Sequence, residues 1–199
     1  MATVSGIHAL TTGLAQLLSR SYQLRPLAGV SCKFEPLGIS DLKKLDGQDT
    51  KVTILLYRIS HNEHQRNRPP TMLPTGRSVP LAVNAHLLVT VWADTALKEQ
   101  SLIAWAMREL HTRPVLDRSV LAESGGFAPG DLIALAPEDL SLDDLSKLWQ
   151  ALAPPLRPSL GYVARNVMLD IEREPDAEPV VATRMAIDSD VAAVAGGAL

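Results

Sequence analysis

Two histidines three residues apart, with a glutamate between them, are the side chains of this chain that most resemble a metal-binding group: His61, Glu63 and His64. On a helix, such a pair could share one face and hold a divalent cation. The surrounding segment is rich in proline and polar residues, which disfavours a helix, and zinc would need a third protein ligand at a recognisable spacing. The remaining histidines nearby, His86 and His111, fall in segments where a structural role is expected. We therefore interpret the three residues as solvated loop side chains, and the sequence predicts no metal or other cofactor.

The residues that could act as nucleophiles or bind phosphate also lack the required neighbours. Cys32 is the single cysteine, so it cannot form an internal disulfide, and no base adjoins it. A short buried apolar side chain is the expected role. The pair Gly125-Gly126, followed by Pro129-Gly130, lacks the lysine and hydroxyl of a phosphate loop, which favours a hinge. The sequence thus indicates a protein that is not an enzyme.

A basic group lies in a long segment between two apolar runs. Residues 61 to 80 contain four prolines, one glycine and the three arginines Arg66, Arg68 and Arg77. A structureless segment of this length is uncommon unless it is functional or disordered, so we predict an exposed arm. Charges in polar loops are most often simply solvated, and a role of these arginines in binding a partner is a hypothesis.

The end of the chain is its acidic part. From Asp170 to Leu199 there are seven acids and two arginines, together with prolines, alanines and glycines. Such a composition leaves little to bury, so residues 175 to 199 are predicted to form a flexible or partner-ordered tail. Asp176 and Glu178 are the candidate interface residues in this tail.

Composition bounds the class of protein. The 199 residues are 46% hydrophobic and 21% charged, as in ordinary soluble domains. A formal net charge of -3 gives the chain no electrostatic basis for binding nucleic acid. We find neither a signal peptide nor a candidate span for membrane insertion. We expect one core, folded in a reducing cytoplasm.

Hydrophobic periodicity predicts three helices. The first covers residues 3 to 22, and the second covers 95 to 112, with Thr95 as its cap and Pro114 beyond its end. Ser141 with Asp144 resembles a capping box that opens the third helix, which Pro154-Pro155 ends.

Alternating or continuous apolar runs predict the strands of a sheet. Residues 51 to 60 and 81 to 93 are apolar on both faces, so we expect them to be central and to pair. Residues 29 to 36 are a possible short strand limited by Pro36, and residues 131 to 137 read as another. In the last element, from residue 159 to 174, the alternation slips near Asn166, which predicts a bulge.

These elements predict an α+β fold: a small mixed β-sheet packed by about three helices in a domain of residues 1 to 174. The flexible acidic tail, residues 175 to 199, follows this domain.

Several segments in this order resemble the N-terminal domain of the cap or tube-terminator proteins of extracellular, phage-tail-like contractile injection systems. The resemblance covers about residues 3 to 173, and it is carried by the segments I-L-L-Y-R-I-S-H-N (54 to 62), P-L-A-V-N-A-H-L-L-V-T-V-W-A (80 to 93), L-I-A-W-A-M-R-E-L-H-T-R-P-V-L (102 to 116), D-L-S-K-L-W-Q-A-L (144 to 152) and R-P-S-L-G-Y-V-A-R (157 to 165).

This resemblance implies a tail-terminator-like fold and a hexameric ring at the end of the particle remote from the baseplate. The ring would stop growth of tube and sheath, so the implied partners are other copies of the chain, the inner tube protein and the sheath protein. The protein would be cytoplasmic during assembly and then a component of a released extracellular particle. The family has no catalytic residue to carry over.

Two alternatives remain open at this stage. The protein could be an adaptor that recruits cargo or another tail component through residues 61 to 80. The second alternative is a small metal-dependent hydrolase that uses His61, Glu63 and His64, for which these groups would have to converge in a pocket.

Overall fold

The structure, a computed structural model, describes residues 2–3, 5–44, 49–63, 80–121, 125–152 and 154–170. The predicted arm from residue 64 onward and the predicted tail lie outside these residues. Within them, no helix is both long and apolar enough to cross a membrane.

The described residues form six strands: β1 (Lys33–Leu37), β2 (Lys51–His61), β3 (Leu81–Trp92), β4 (Val115–Leu116), β5 (Ile133–Glu138) and β6 (Ser159–Leu169). They make one mixed sheet at the centre of the fold, in the order β1-β2-β3-β6-β5-β4. β1 runs parallel to β2, and every other neighbouring pair is antiparallel. The predicted pairing of the two long apolar runs is therefore confirmed, because they form β2 and β3.

The three predicted helices are confirmed, and two shorter helical elements accompany them in the part of the chain that the structure describes. Thr95 accepts a hydrogen bond from the backbone N–H of Lys98, which caps the second long helix. Ser141 accepts one from the N–H of Asp144 and donates its hydroxyl to the Asp144 carboxylate, a variant of the expected capping box. The helical elements are α1 (Gly6–Leu24), α2 (Ala96–His111), α3 (Arg118–Leu121), α4 (Leu142–Leu152) and a 3₁₀ helix (Ile39–Lys44).

The two faces of the sheet carry separate apolar clusters. Alternate residues of β3 point to opposite faces: Leu87 and Val89 pack in the cluster that includes the apolar stripes of α1 and α2. Leu88 and Trp92 pack in a smaller cluster with residues of α4. Covering by helices on both faces explains why β3 has apolar residues on both of its faces.

The edge strand β1 differs from its prediction. It begins at Lys33 and ends at Leu37, so Pro36 lies inside the strand and does not end it. Pro36 aligns with Ile54 of β2, and among the described strands β2 is the only neighbour of β1. A proline is tolerated at such a position because an edge strand has one side without a ladder.

Two bulges change which side chains face each side of the sheet. The predicted slip near Asn166 is confirmed: this residue has φ of 62°, and its N–H donates to the side-chain oxygen of Asn84. The second bulge, which the sequence pattern did not indicate, lies at Tyr57, where the β2–β3 register shifts between Leu56 and Arg58. Beyond it, residues that would face α1 turn to the opposite face.

Candidate functional site

A chain of hydrogen bonds connects four polar side chains on the α4 side of the sheet. The Ser60 hydroxyl lies 2.9 Å from Nε2 of His86, and Nδ1 of the same imidazole lies 2.8 Å from Oε1 of Glu138. The second carboxylate oxygen of Glu138 accepts a 2.7 Å hydrogen bond from the Tyr57 hydroxyl. We call these four residues the polar relay.

The direction of each hydrogen bond follows from the chemistry of the carboxylate. An ionised Glu138 can only accept, so the adjacent Nδ1 of His86 carries the hydrogen. In a neutral imidazole the other nitrogen is then an acceptor. With the imidazole in this neutral tautomer, Ser60 donates its hydroxyl hydrogen to Nε2.

The strands position the relay through local features of the backbone. The bulge at Tyr57 places Ser60 on the same face of the sheet as His86, and the two residues reach each other diagonally across β2 and β3. Glu138 lies on β5, with the β6 residue Gly161 opposite it. A Cβ atom at Gly161 would come within 2.6 Å of the Glu138 carbonyl oxygen, so a glycine is needed for the close approach of the two strands.

The members of the relay differ in burial. His86 is only 8% exposed, whereas the Glu138 side chain is 23% exposed. Burial, with a further contribution from the hydrogen bond to Glu138, raises the pKa of Tyr57 well above its usual value. Tyr57 therefore remains a hydrogen-bond donor to the carboxylate across the physiological range.

The relay borders an open cavity of about 510 Å³. The lining comes from β2, β3, β5 and β6 and from the turns that follow β2 and β5. Besides Ser60, His86 and Glu138, it includes the cationic side chains Arg58 and Arg165. A serine and a histidine in direct contact thus lie at a solvent-accessible surface.

The two ends of the sheet form a second set of candidate contact surfaces. β4 pairs with β5 at only two positions, and exposed apolar side chains, Val115 and Leu132, lie at this end. At the opposite end, exposed Ile39 follows β1. The two ends of the sheet differ in sequence, so each presents a different surface.

The residues proposed from the sequence have different outcomes. His61 and Glu63 line the cavity, whereas His64 lies outside the described residues. Within the described part of the chain, no three His, Cys, Asp or Glu side chains are grouped to hold a metal ion. The five candidate interface residues, Arg66, Arg68, Arg77, Asp176 and Glu178, lie outside the described residues.

Two other sequence interpretations can be compared with the structure. Cys32 is partly buried against the main apolar cluster, and burial raises the pKa of its thiol to about 12. His86, expected to be structural, is the central member of the polar relay. The signal available in the sequence was a histidine within a mostly apolar strand, since a buried polar side chain needs a partner.

Comparison with solved structures gives the same fold. The chain is similar to the PVC sheath/tube terminator of an extracellular contractile injection system in its extended state, with 18% identity and a TM-score of 0.50 over 92% of this chain. It is also similar to the anti-feeding prophage cap, a tube-terminating cap, with 18% identity and a TM-score of 0.51 over 86% of this chain. The match spans 64% and 59% of those two chains, less than two thirds of either.

No protein of curated function matches the chain. The model of the Pvc16 N-terminal domain matches residues 9 to 183, most of the sequence. Two observations agree with this match: the resemblance carried by the order of the sequence segments, and the mixed sheet packed by helices. The chain belongs to the Pvc16 N-terminal domain family.

Proposed function

We propose that this protein is a structural terminator of a contractile injection system, which ends the growth of tube and sheath at the end distal to the baseplate. The observation that carries the proposal is the shared fold over 92% of the chain with a sheath/tube terminator. Family membership supports it independently of the structure comparison.

Termination by this protein would require a closed ring, and we propose a homohexamer. Such a ring is built from two different surfaces that meet head to tail. The β1 end and the β4–β5 end of the sheet are unlike surfaces at opposite ends of the strand order. Exposed Ile39 at one end and exposed Leu132 at the other supply apolar contact area.

The prolines at the two ends of the sheet favour a subunit contact made by side chains over one made by backbone hydrogen bonds. Pro36 in β1 and Pro137 in β5 cannot donate a backbone hydrogen bond to an added strand. Prolines and charged residues at edge strands oppose unlimited strand addition. A ring that closes through side chains would leave no continuous ladder for further growth, which suits a terminator.

The proposed partners are the inner tube protein and the sheath protein. Arg66, Arg68, Arg77, Asp176 and Glu178 remain predicted contact residues. Assembly would occur in the cytoplasm, before release of the particle. In this role the protein acts by binding and shape, with no catalytic step.

Native mass spectrometry of the full chain, alone and with purified tube and sheath proteins, tests the proposal. A hexamer, or a hexamer formed on the tube end, is expected. Particles made without the protein should have tubes of unregulated length by electron microscopy. A monomer that binds neither protein, together with normal tube lengths in its absence, would refute the proposal.

A pair of charge substitutions tests the ring contact. Leu132→Glu should reduce the hexamer to monomers because it places a charge in the proposed apolar contact. Leu97→Glu, on α2, is the matched control because Leu97 is also exposed, 78% against 65% for Leu132, and it should leave the oligomer intact. If Leu97→Glu dissociated the oligomer and Leu132→Glu did not, the ring contact would not lie at Leu132.

A further inference from the structure

We propose that Ser60 is an activated nucleophile that accepts the acyl group of a small carboxylic ester, with His86 as its base and Glu138 as a positioning residue. This inference does not depend on the terminator role or on the oligomeric state. It rests on the geometry of the polar relay and on the cavity beside it.

The distances satisfy the requirements for an activated serine. A hydroxyl must lie within hydrogen-bond reach of a base, and a third group must orient that base. The Ser60–His86 and His86–Glu138 distances are 2.9 and 2.8 Å. By contrast, the hydroxyl of Ser119 contacts the carboxylate of Asp117 at 2.6 Å without a histidine, so its proton has no route to an imidazole.

Two further features fix the position of Glu138, the residue that orients His86. Tyr57 donates to the Glu138 carboxylate, and Gly161 allows β5 to approach β6 closely. Because the carboxylate is fixed, it fixes the tautomer and ring orientation of His86. This role of Glu138 is that of the buried carboxylate in a Ser-His-Asp triad, which stabilises the imidazolium without taking its proton.

The cavity supplies access, and its lining carries both signs of charge: the carboxylates Glu63, Glu138 and Asp139 together with Arg58 and Arg165. Its volume of about 510 Å³ falls within the range of small-molecule sites. Arg58 and Arg165 line it, and neither forms an ion pair with any residue that the structure describes. We assign to one of these two guanidinium groups the stabilisation of the negative charge that develops on the carbonyl oxygen during attack.

The proposed reaction proceeds in two balanced steps. The Ser60 oxygen bonds to the carbonyl carbon while its proton moves to Nε2 of His86. That proton then passes to the alcohol oxygen as the ester C–O bond breaks, leaving an acyl-serine. Water attacks the acyl-serine, gives a proton to Nε2, and releases the carboxylic acid as the proton returns to Ser60.

A fluorophosphonate probe tests the nucleophile directly on the full chain. The Ser60 oxygen would form a bond to phosphorus as the P–F bond breaks and fluoride leaves. Intact mass should show one adduct per chain, and peptide mass spectrometry should locate it at Ser60. Hydrolysis of p-nitrophenyl acetate should show a burst of one equivalent of nitrophenolate.

Substitutions separate the roles of the residues. Ser60→Ala should abolish the adduct, and His86→Asn should slow labelling by roughly 100-fold or more. Glu138→Gln should lower the maximal rate of labelling by at least about tenfold while leaving the half-saturating probe concentration unchanged. Ser119→Ala is the matched control and should label like the wild-type chain. Circular dichroism verifies that each variant is folded.

Ser60→Cys provides a second test, because it keeps a nucleophilic atom at this position, which Ser60→Ala removes. The introduced thiol should be alkylated by iodoacetamide much faster than Cys32, because His86 accepts its proton. Absence of an adduct on the folded wild-type chain overturns the proposal. An adduct that survives Ser60→Ala, or labelling that is unaffected by His86→Asn, also overturns it.

Discussion

The guanidinium carbon of Arg157 lies 4.8 Å from the ring centroid of Trp92, a cation–π contact that joins the segment before β6 to the end of β3. Nη1 of Arg157 also lies 3.2 Å from the Glu99 carboxylate in the first turn of α2. The Trp92 ring is held in turn by its Nε1–H, which donates to the Thr53 hydroxyl at 2.9 Å. Arg157 therefore fixes α2 against the sheet near the smaller apolar cluster.

Replacing this arginine should measurably weaken the fold. Arg157→Ala removes the cation–π contact, the ion pair and the packing of the side-chain stem, so the free energy of unfolding should fall by about 1–2 kcal/mol. Urea denaturation followed by tryptophan fluorescence measures this change. Lys147→Ala, which removes an exposed ion pair with Asp143, is the control and should have no measurable effect. Equal effects of the two substitutions would contradict the argument.

The indole of Trp149 packs α4 onto the smaller apolar cluster. Trp149 of α4 is 2% exposed, and its ring centroid lies 6.1 Å from that of Trp92. Trp149→Ala should cost about 3–5 kcal/mol, because it leaves a cavity between α4 and the sheet. Leu142→Ala, at an exposed position of the same helix, should change the free energy of unfolding by less than about 0.5 kcal/mol. Thermal or urea unfolding compares the two variants.

The bulge in β6 should tolerate glycine but not a β-branched residue. Asn166 has φ of 62°, a conformation that asparagine and glycine adopt more readily than other residues. Asn166→Val should lower the free energy of unfolding by about 1–3 kcal/mol. Asn166→Gly should be close to neutral. Equal stability of the valine and glycine variants in urea would show that the positive φ is not required.

The thiol of Cys32 should react slowly in the folded protein. Burial raises its pKa to about 12, so the thiolate, which is the reactive form, is scarce at pH 8. The rate of reaction with a disulfide reagent should increase about tenfold per pH unit between pH 8 and 10, because this range lies below the raised pKa. In urea, the rate at pH 8 should increase by orders of magnitude, since an exposed thiol has a pKa near 8.5. A rate that does not change on unfolding would contradict this account.

Local sequence patterns were sufficient for most of the regular elements. The helical spacing of α1 and α2, the cap at Thr95 and the phase slip at Asn166 all involve residues that are close in the chain. Their physical causes, which are side-chain periodicity and backbone conformation, act over one or two turns. The predicted limits of β1, residues 29 to 36, differ from the observed Lys33–Leu37. Pro36 is tolerated within the strand because the strand lies at an edge of the sheet, which the sequence does not indicate.

The polar relay could not be assembled from the sequence. Ser60 and His86 are 26 residues apart, and His86 and Glu138 are 52 residues apart. Ser60 also faces the cavity only because a bulge at Tyr57 reverses the alternation of β2, and nothing in that apolar run marks the bulge. The metal hypothesis concerned His61 and Glu63, which line the cavity, whereas two members of the polar relay come from β3 and β5.

The sequence by itself determined the α+β class, the principal helices and strands, the Asn166 bulge and the resemblance to contractile-system terminators. Only the tertiary structure decided the strand order, the two unlike ends of the sheet and the contact of Ser60 with His86. The reason is physical: periodicity specifies which face of an element is buried, whereas strand order and register depend on interactions between residues distant in sequence.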